Sequence, residues 1–135
     1  MTMNPCIEEL RTAWLPHITD AGLERVINLL EKGSPLLIHG AFTRAVPMGC
    51  LATHIAWNHP LTCSQTLDAG VLWLCRVARL NPATSKVIRA WDDSGPHDWA
   101  LRSAFLAEFV AERARRADSP RKGRINESAW DCAAV

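Results

Sequence analysis

The sequence predicts an all-α protein, a single compact bundle of five or six helices with a flexible C-terminal tail. Apolar residues return at three- and four-residue intervals along successive segments, as one face of a helix requires. Short connections punctuated with proline, which cannot continue a helix in mid-course, separate those segments. Composition sets the scale: 135 residues, 48% hydrophobic and 21% charged, suit one globular domain with a real core. We place the helical domain at 1–117 and a flexible basic tail at 118–135.

Asn4 followed by Pro5 starts a first helix, because proline in the first turn lacks an N–H that would be unpaired there anyway. Ile7, Leu10 and Trp14 share its inner face, and Pro16 ends it. Thr19 or Asp20 caps a second helix with Leu23, Val26, Ile27 and Leu30 inward, stopped by Gly33 and Pro35. Residues 36–46 read as a short strand or an extended crossing loop with no evident pairing partner. Pro47 suits the first turn of a third helix to about Trp57, apolar almost all round and therefore buried. In it Met48, Leu51, Ala52 and Ile55 line one face, and Cys50, His54 and Trp57 another.

His59 before Pro60 breaks that helix, since the residue preceding proline is pushed out of the α region. Ser64 or Thr66 caps a fourth helix to about Leu80, with Leu67, Val71, Leu74 and Ala78 as its stripe and Trp73 and Val77 widening it. Asn81 caps a fifth helix that Pro82 begins, with Val87, Ile88 and Trp91 inward. Asp98 or a neighbour opens the last and longest, striped by Leu101, Phe105, Leu106, Phe109 and Val110, before the chain turns basic at Arg113, Arg115 and Arg116. In the tail, Trp130 is a candidate docking anchor.

Several classes of function are excluded or disfavoured. No apolar run approaches the roughly 18 residues a membrane span needs, so no membrane partner is expected. Glu8 and Glu9 stand where a secretory leader would be basic and then apolar, and the five cysteines are odd in number and irregularly spaced. Both point to reduced thiols and a cytoplasmic location. A formal net charge of +1 argues against a surface built wholly for a phosphate backbone. Six tryptophans without a tyrosine suggest a tryptophan-rich core, or an apolar pocket.

The densest chemistry lies in residues 47–63. Cys50, His54, His59 and Cys63 supply the mixed sulfur and nitrogen ligands of a tetrahedral zinc or other transition-metal site, and His39 could replace one of them. Cys50 and His54, four residues apart, would sit one above the other on a helix. The same two residues also suggest a cysteine-dependent enzyme, a thiolate favoured by the helix start with a histidine one turn on; no catalytic residue is assigned on that ground.

A different constellation lies at 77–91. A helix, a tight turn at Arg79 to Asn81 and a second helix bearing Thr84, Ser85, Lys86 and Arg89 resemble a helix-turn-helix, with Leu74, Cys75, Ala78, Leu80 and Ile88 at its small and apolar positions. The resemblance implies a DNA-binding regulator whose second helix offers those four polar residues to the bases. Arg79 stands where such a turn usually has glycine, and Ser85 where an apolar contact is usual. The reading favoured overall is a small cytoplasmic binding or regulatory protein with a transition-metal site in 47–63. A protein partner or a homo-oligomer is compatible with it, and nucleic acid is less favoured.

Overall fold

Thr19 shows how local chemistry fixes this chain. Its Oγ1 accepts the amide of Gly22 at 3.0 Å, capping a helix, and donates to the carbonyl of Asn58 at 2.7 Å, tying that helix to a segment far along the sequence. The computed structural model of the protein describes residues 4–94 and 98–118. Among them the elements run α1 (Pro5–Glu9), α2 (Asp20–Lys32), β1 (Thr43–Ala45), β2 (Met48–Gly49), α3 (Leu51–Trp57), α4 (Ala69–Trp73), α5 (Lys86–Ser94) and α6 (Trp99–Asp118). Among the described residues the fold is all-α apart from one small antiparallel hairpin, β1 with β2, and an isolated parallel bridge from Leu37 to Gly49. α1 runs on through a π-helical turn over Leu10–Trp14 and a 3-10 turn over Leu15–His17, and α4 through a π-helical turn over Leu74–Ala78. The expected tail meets the structure only at Asp118, which ends α6; residues 119–135, with Trp130, lie outside the described residues, as do Gly95, Pro96 and His97.

The first two helices follow their sequence signals. Asn4 accepts the amide of Cys6 at 3.0 Å and Pro5 opens α1. In α2 Leu23, Val26, Ile27, Leu29 and Leu30 are buried. Gly33 closes it in the left-handed region at φ +58°, a conformation glycine adopts without a Cβ penalty.

Residues 36–50 depart from expectation. The extended segment 36–38 does have a partner: Gly49 donates to Leu36 O and its carbonyl accepts from Ile38, each at 3.0 Å, while the Cys50 amide donates to Phe42 O at 2.9 Å. With these backbone groups committed to a ladder, residues 48–50 stay extended and Pro47 sits in the hairpin turn instead of opening a helix. α3 begins only at Leu51, with Cys50 as its N-cap. Downstream, residues 64–68 form turns and Leu67 is exposed, because α4 starts at Ala69.

α3 is the buried centre, packed on α2 and α4. Thr53, fully buried, lies where α3 meets two glycines. A Cβ on Gly49 would come within 2.6 Å of Thr53 Cγ2, and one on Gly70 within 2.5 Å of Thr53 Oγ1. Thr53 Oγ1 itself donates to Phe42 O at 2.7 Å, so the close approach also satisfies a buried hydroxyl.

α5 begins four residues later than its sequence suggests. Asn81 caps only a single turn, taking the Ala83 amide on Oδ1 and those of Thr84 and Ser85 on its carbonyl. The start of α5 is held instead by Ser85, whose Oγ accepts from Ile88 N, and by Glu9 of α1. The Glu9 carboxylate accepts from Ser85 Oγ at 2.6 Å, Lys86 N at 2.8 Å, Val87 N at 3.0 Å and Trp14 Nε1 at 3.1 Å. A carboxylate at a helix N-terminus meets otherwise unpaired amides and the positive end of the helix dipole.

Three of the tryptophans build the core. Trp14, Trp73 and Trp91 are fully buried, Trp14 packing on Trp73 with ring centroids 5.3 Å apart and Trp91 stacking on Phe105 at 6.2 Å. α6 lies along α2, and its basic end is structural: Arg116 bonds Glu112 at 2.7 Å, Asp20 at 2.8 Å and the Leu15 carbonyl at 2.9 Å. None of the described helices is long and apolar enough to cross a membrane.

Candidate functional site

The residues that promised chemistry in 47–63 are each engaged locally. Cys50 is 1% exposed, its Sγ lies 3.7 Å from Thr53 Oγ1, and burial pushes its thiol up to about 11. His54, also buried, places Nε2 at 2.8 Å from Leu36 O, a carbonyl that can only accept, so Nε2 donates there. Its ring meets Trp57 edge-on at 5.2 Å, and burial holds its pKa below the ordinary histidine value, the Leu36 bond opposing that shift. His59 is buried and accepts the Leu61 amide on Nδ1 at 3.1 Å; burial lowers its pKa as well. Cys63 is disulfide-bonded.

Among the described residues no group of three or more His, Cys, Asp or Glu side chains is placed to hold a metal ion. The physical reasons are specific. Cys50 is a cap in extended conformation, so it does not stack under His54 on a helix; His54 is drawn to Leu36; and Cys63 offers no thiolate. His39 lies apart, on the wall of a cleft described below. The Cys50 and His54 side chains also make no hydrogen bond to each other; the bond between the two residues is a helical one, from His54 N to Cys50 O. The disulfide corrects the reading of all five cysteines as reduced; Cys6, Cys50 and Cys75 are free.

The helix-turn-helix segment departs from the expected tight turn at Arg79 to Asn81: residues 79–85 separate the π-helical turn ending at Ala78 from α5, and Arg79 occupies the left-handed region at φ +59°, where such turns favour glycine. Its four expected base contacts also separate. Thr84, Lys86 and Arg89 face solvent, but Ser85 is only 3% exposed and points inward to Glu9. With the Glu9 carboxylate seated on the first amides of α5, that helix start is already occupied by a negative charge.

An open concavity lies elsewhere, where the turn after α2 meets the start of α6. This cleft, about 480 Å³, is lined by Gly33, Ser34, Pro35, Leu37, Ile38, His39, Arg44, Trp99 and Arg102. Ser34 stiffens one wall, its Oγ accepting from Leu36 N and its carbonyl from Leu37 N, both at 3.2 Å. Leu37 and Ile38 are almost completely buried and give it an apolar floor. On the opposite side Asp98 caps α6 by accepting the Leu101 amide at 3.0 Å, which fixes the first turn bearing Trp99 and Arg102.

Two guanidinium groups, those of Arg44 and Arg102, line the cleft. Arg11, Arg113, Arg115 and Arg116 all pair with carboxylates. Arg44 and Arg102, by contrast, form no ion pair among the described residues; Arg102 instead lies over the Trp91 ring, 5.1 Å from its centroid. Trp99, a large apolar side chain, is 67% exposed at the mouth. Sequence reasoning missed Arg44, Trp99 and Arg102. The one signal for them was the i, i+3 spacing of Trp99 and Arg102, which puts both on the same side of a helix's first turn. No protein-family model, curated protein or solved structure matches the chain.

Proposed function

We propose that this is a small binding protein that takes a small anionic molecule in the cleft between the α2–β1 connection and the first turn of α6. The observation that carries this reading is the pair of guanidinium groups, Arg44 and Arg102, lining a concavity of ligand size without carboxylate partners among the described residues. Small-molecule sites of about 300–1,000 Å³ combine an apolar lining with a few placed polar groups, and Leu37, Ile38 and Pro35 beside two arginines are such a combination. The reading keeps the binding role expected from the sequence and moves it away from the 47–63 segment. A cytoplasmic location was read partly from five reduced thiols, and the disulfide at Cys63 removes that support.

The test is titration with inorganic phosphate, acetate and benzoate, followed by amide chemical shifts, on the wild type and on an Arg44→Ala/Arg102→Ala double variant. Saturable binding of at least one anion that disappears in the double variant is the expected result. Binding that survives in the double variant, or no binding at millimolar concentration, overturns the reading.

A further inference from the structure

The geometry points to a narrower ligand class for this cleft: a planar aromatic carboxylate, anchored edge-on by Arg102 and covered on one face by Trp99. This inference rests on the anion-binding reading above. It is carried by how Arg102 is held. Trp91, fully buried, donates its Nε1–H to the carbonyl of Ile38 at 2.7 Å, and Ile38 is itself part of the cleft floor. Phe105, one turn along α6 from Arg102, stacks on Trp91 with 25° between the planes. The Arg102 guanidinium lies over the same indole.

Arg102 is therefore a cation whose position is set from behind, through Trp91, by the wall it faces. The contact with the indole uses none of the guanidinium N–H donors in a hydrogen bond among the described residues, and their planar fork matches the two oxygens of a carboxylate. A ligand whose carboxylate meets that edge lies beside Trp99, which is three residues earlier on the same helix and exposes most of its indole. An aromatic body can stack on that indole, and it fills the space over Leu37 and Ile38 without the rotamer entropy a flexible chain loses on binding. Arg44, exposed on β1, supplies charge without an aromatic support among the described residues and so attracts any anion alike.

The test compares 2-naphthoate, its neutral amide 2-naphthamide, and decanoate by calorimetry, with quenching of tryptophan fluorescence as a second readout. Aromatic stacking predicts 2-naphthoate binding about fivefold tighter than decanoate. Loss of the charge-assisted pair predicts 2-naphthamide at least about tenfold weaker than 2-naphthoate. Arg102→Lys keeps the charge but loses the planar fork, and it weakens 2-naphthoate about tenfold. Trp99→Leu brings the ratio of 2-naphthoate to decanoate close to one. Circular dichroism of each variant confirms that it is folded, and both side chains are at least partly exposed.

Decanoate binding as tightly as 2-naphthoate, or Arg102→Lys binding like wild type, overturns the aromatic-carboxylate inference while leaving anion binding intact. Failure of every anion to bind overturns the broader reading. Binding of 2-naphthamide as tight as 2-naphthoate overturns both.

Discussion

Two regions of this molecule make opposite use of their side chains. In residues 47–63 the cysteine and histidines are concentrated in sequence, yet Cys50, His54 and His59 are buried and spend their polar atoms on Thr53, Leu36 and Leu61. At the cleft the notable groups, Arg44, Trp99 and Arg102, are scattered through the sequence and gathered only by the fold. The contrast teaches that reactive residue types close together in sequence can serve packing, whereas polar groups left without partners in a concavity are those still able to meet a ligand.

The sharpest way to break the comparison is to disturb the packing around Thr53. Gly70→Ala places a Cβ 2.5 Å from Thr53 Oγ1 and 3.0 Å from its backbone amide, which cannot swing aside. We expect a net loss of about 2–3 kcal/mol in urea unfolding, overpacking outweighing the gain of about 1 kcal/mol in helix propensity. A Thr53→Ala change in that background recovers part of the loss, because it removes the clashing oxygen. Neutral behaviour of Gly70→Ala would show that α3 and α4 are not held this closely.

Glu9→Ala comes next. It removes the acceptor for two backbone amides of α5 together with Ser85 Oγ and Trp14 Nε1, and we expect a loss of about 2 kcal/mol. Glu9→Gln keeps one carbonyl acceptor and should lose about half of that. Equal losses from both changes would mean that the charge, and not the hydrogen-bond geometry, holds the start of α5.

A smaller effect is expected from pH. Burial lowers the pKa of His54 and of His59, so the unfolded chain takes up protons before the folded one does. Stability from both histidines is complete above their ordinary value of about 6.5 and falls as pH drops below it toward the lowered folded values. Glu108, whose pKa is lowered chiefly by its Arg11 hydrogen bond, contributes in a more acidic window, so a urea midpoint measured from pH 7.5 to 5.5 isolates the histidines. The midpoint should decline across that range, and the decline should be shallower in His54→Gln. A flat profile would contradict the burial assigned to these rings.

The smallest effects on stability belong to the cleft. Arg44→Ala should shift unfolding by less than about 0.5 kcal/mol, as expected for an exposed side chain without an ion pair among the described residues. Arg102→Ala should lose about 0.5–1 kcal/mol through its contact with Trp91. Ligand binding, by contrast, should respond to both. Loss of stability without loss of binding would assign these arginines to the scaffold.

What the sequence made legible follows the range of the forces involved. α2 was readable end to end, since Thr19 caps it three residues away and Gly33 terminates it in place. α6 was readable from Asp98 onward for the same reason. The start of α3 was not, because the bonds that keep Gly49 and Cys50 extended come from Leu36, Ile38 and Phe42. Nor was the start of α5, whose cap reaches across from Glu9. The cleft was hidden on the same ground: its walls come from the end of α2, from β1 and from the start of α6, and no local pattern joins them. Of the residues proposed as ligands, only His39 lines it.

The account's central claim is that binding belongs to the cleft and packing to the 47–63 segment. Backbone amide shifts of ¹⁵N-labelled protein titrated with 2-naphthoate test it most directly. The account predicts saturable shifts at Ser34, Leu37, Ile38, His39, Arg44, Trp99 and Arg102, with Cys50, His54 and His59 unmoved. Largest shifts at Cys50, His54, His59 and Cys63 would contradict it and return the site to the segment where the sequence first placed it.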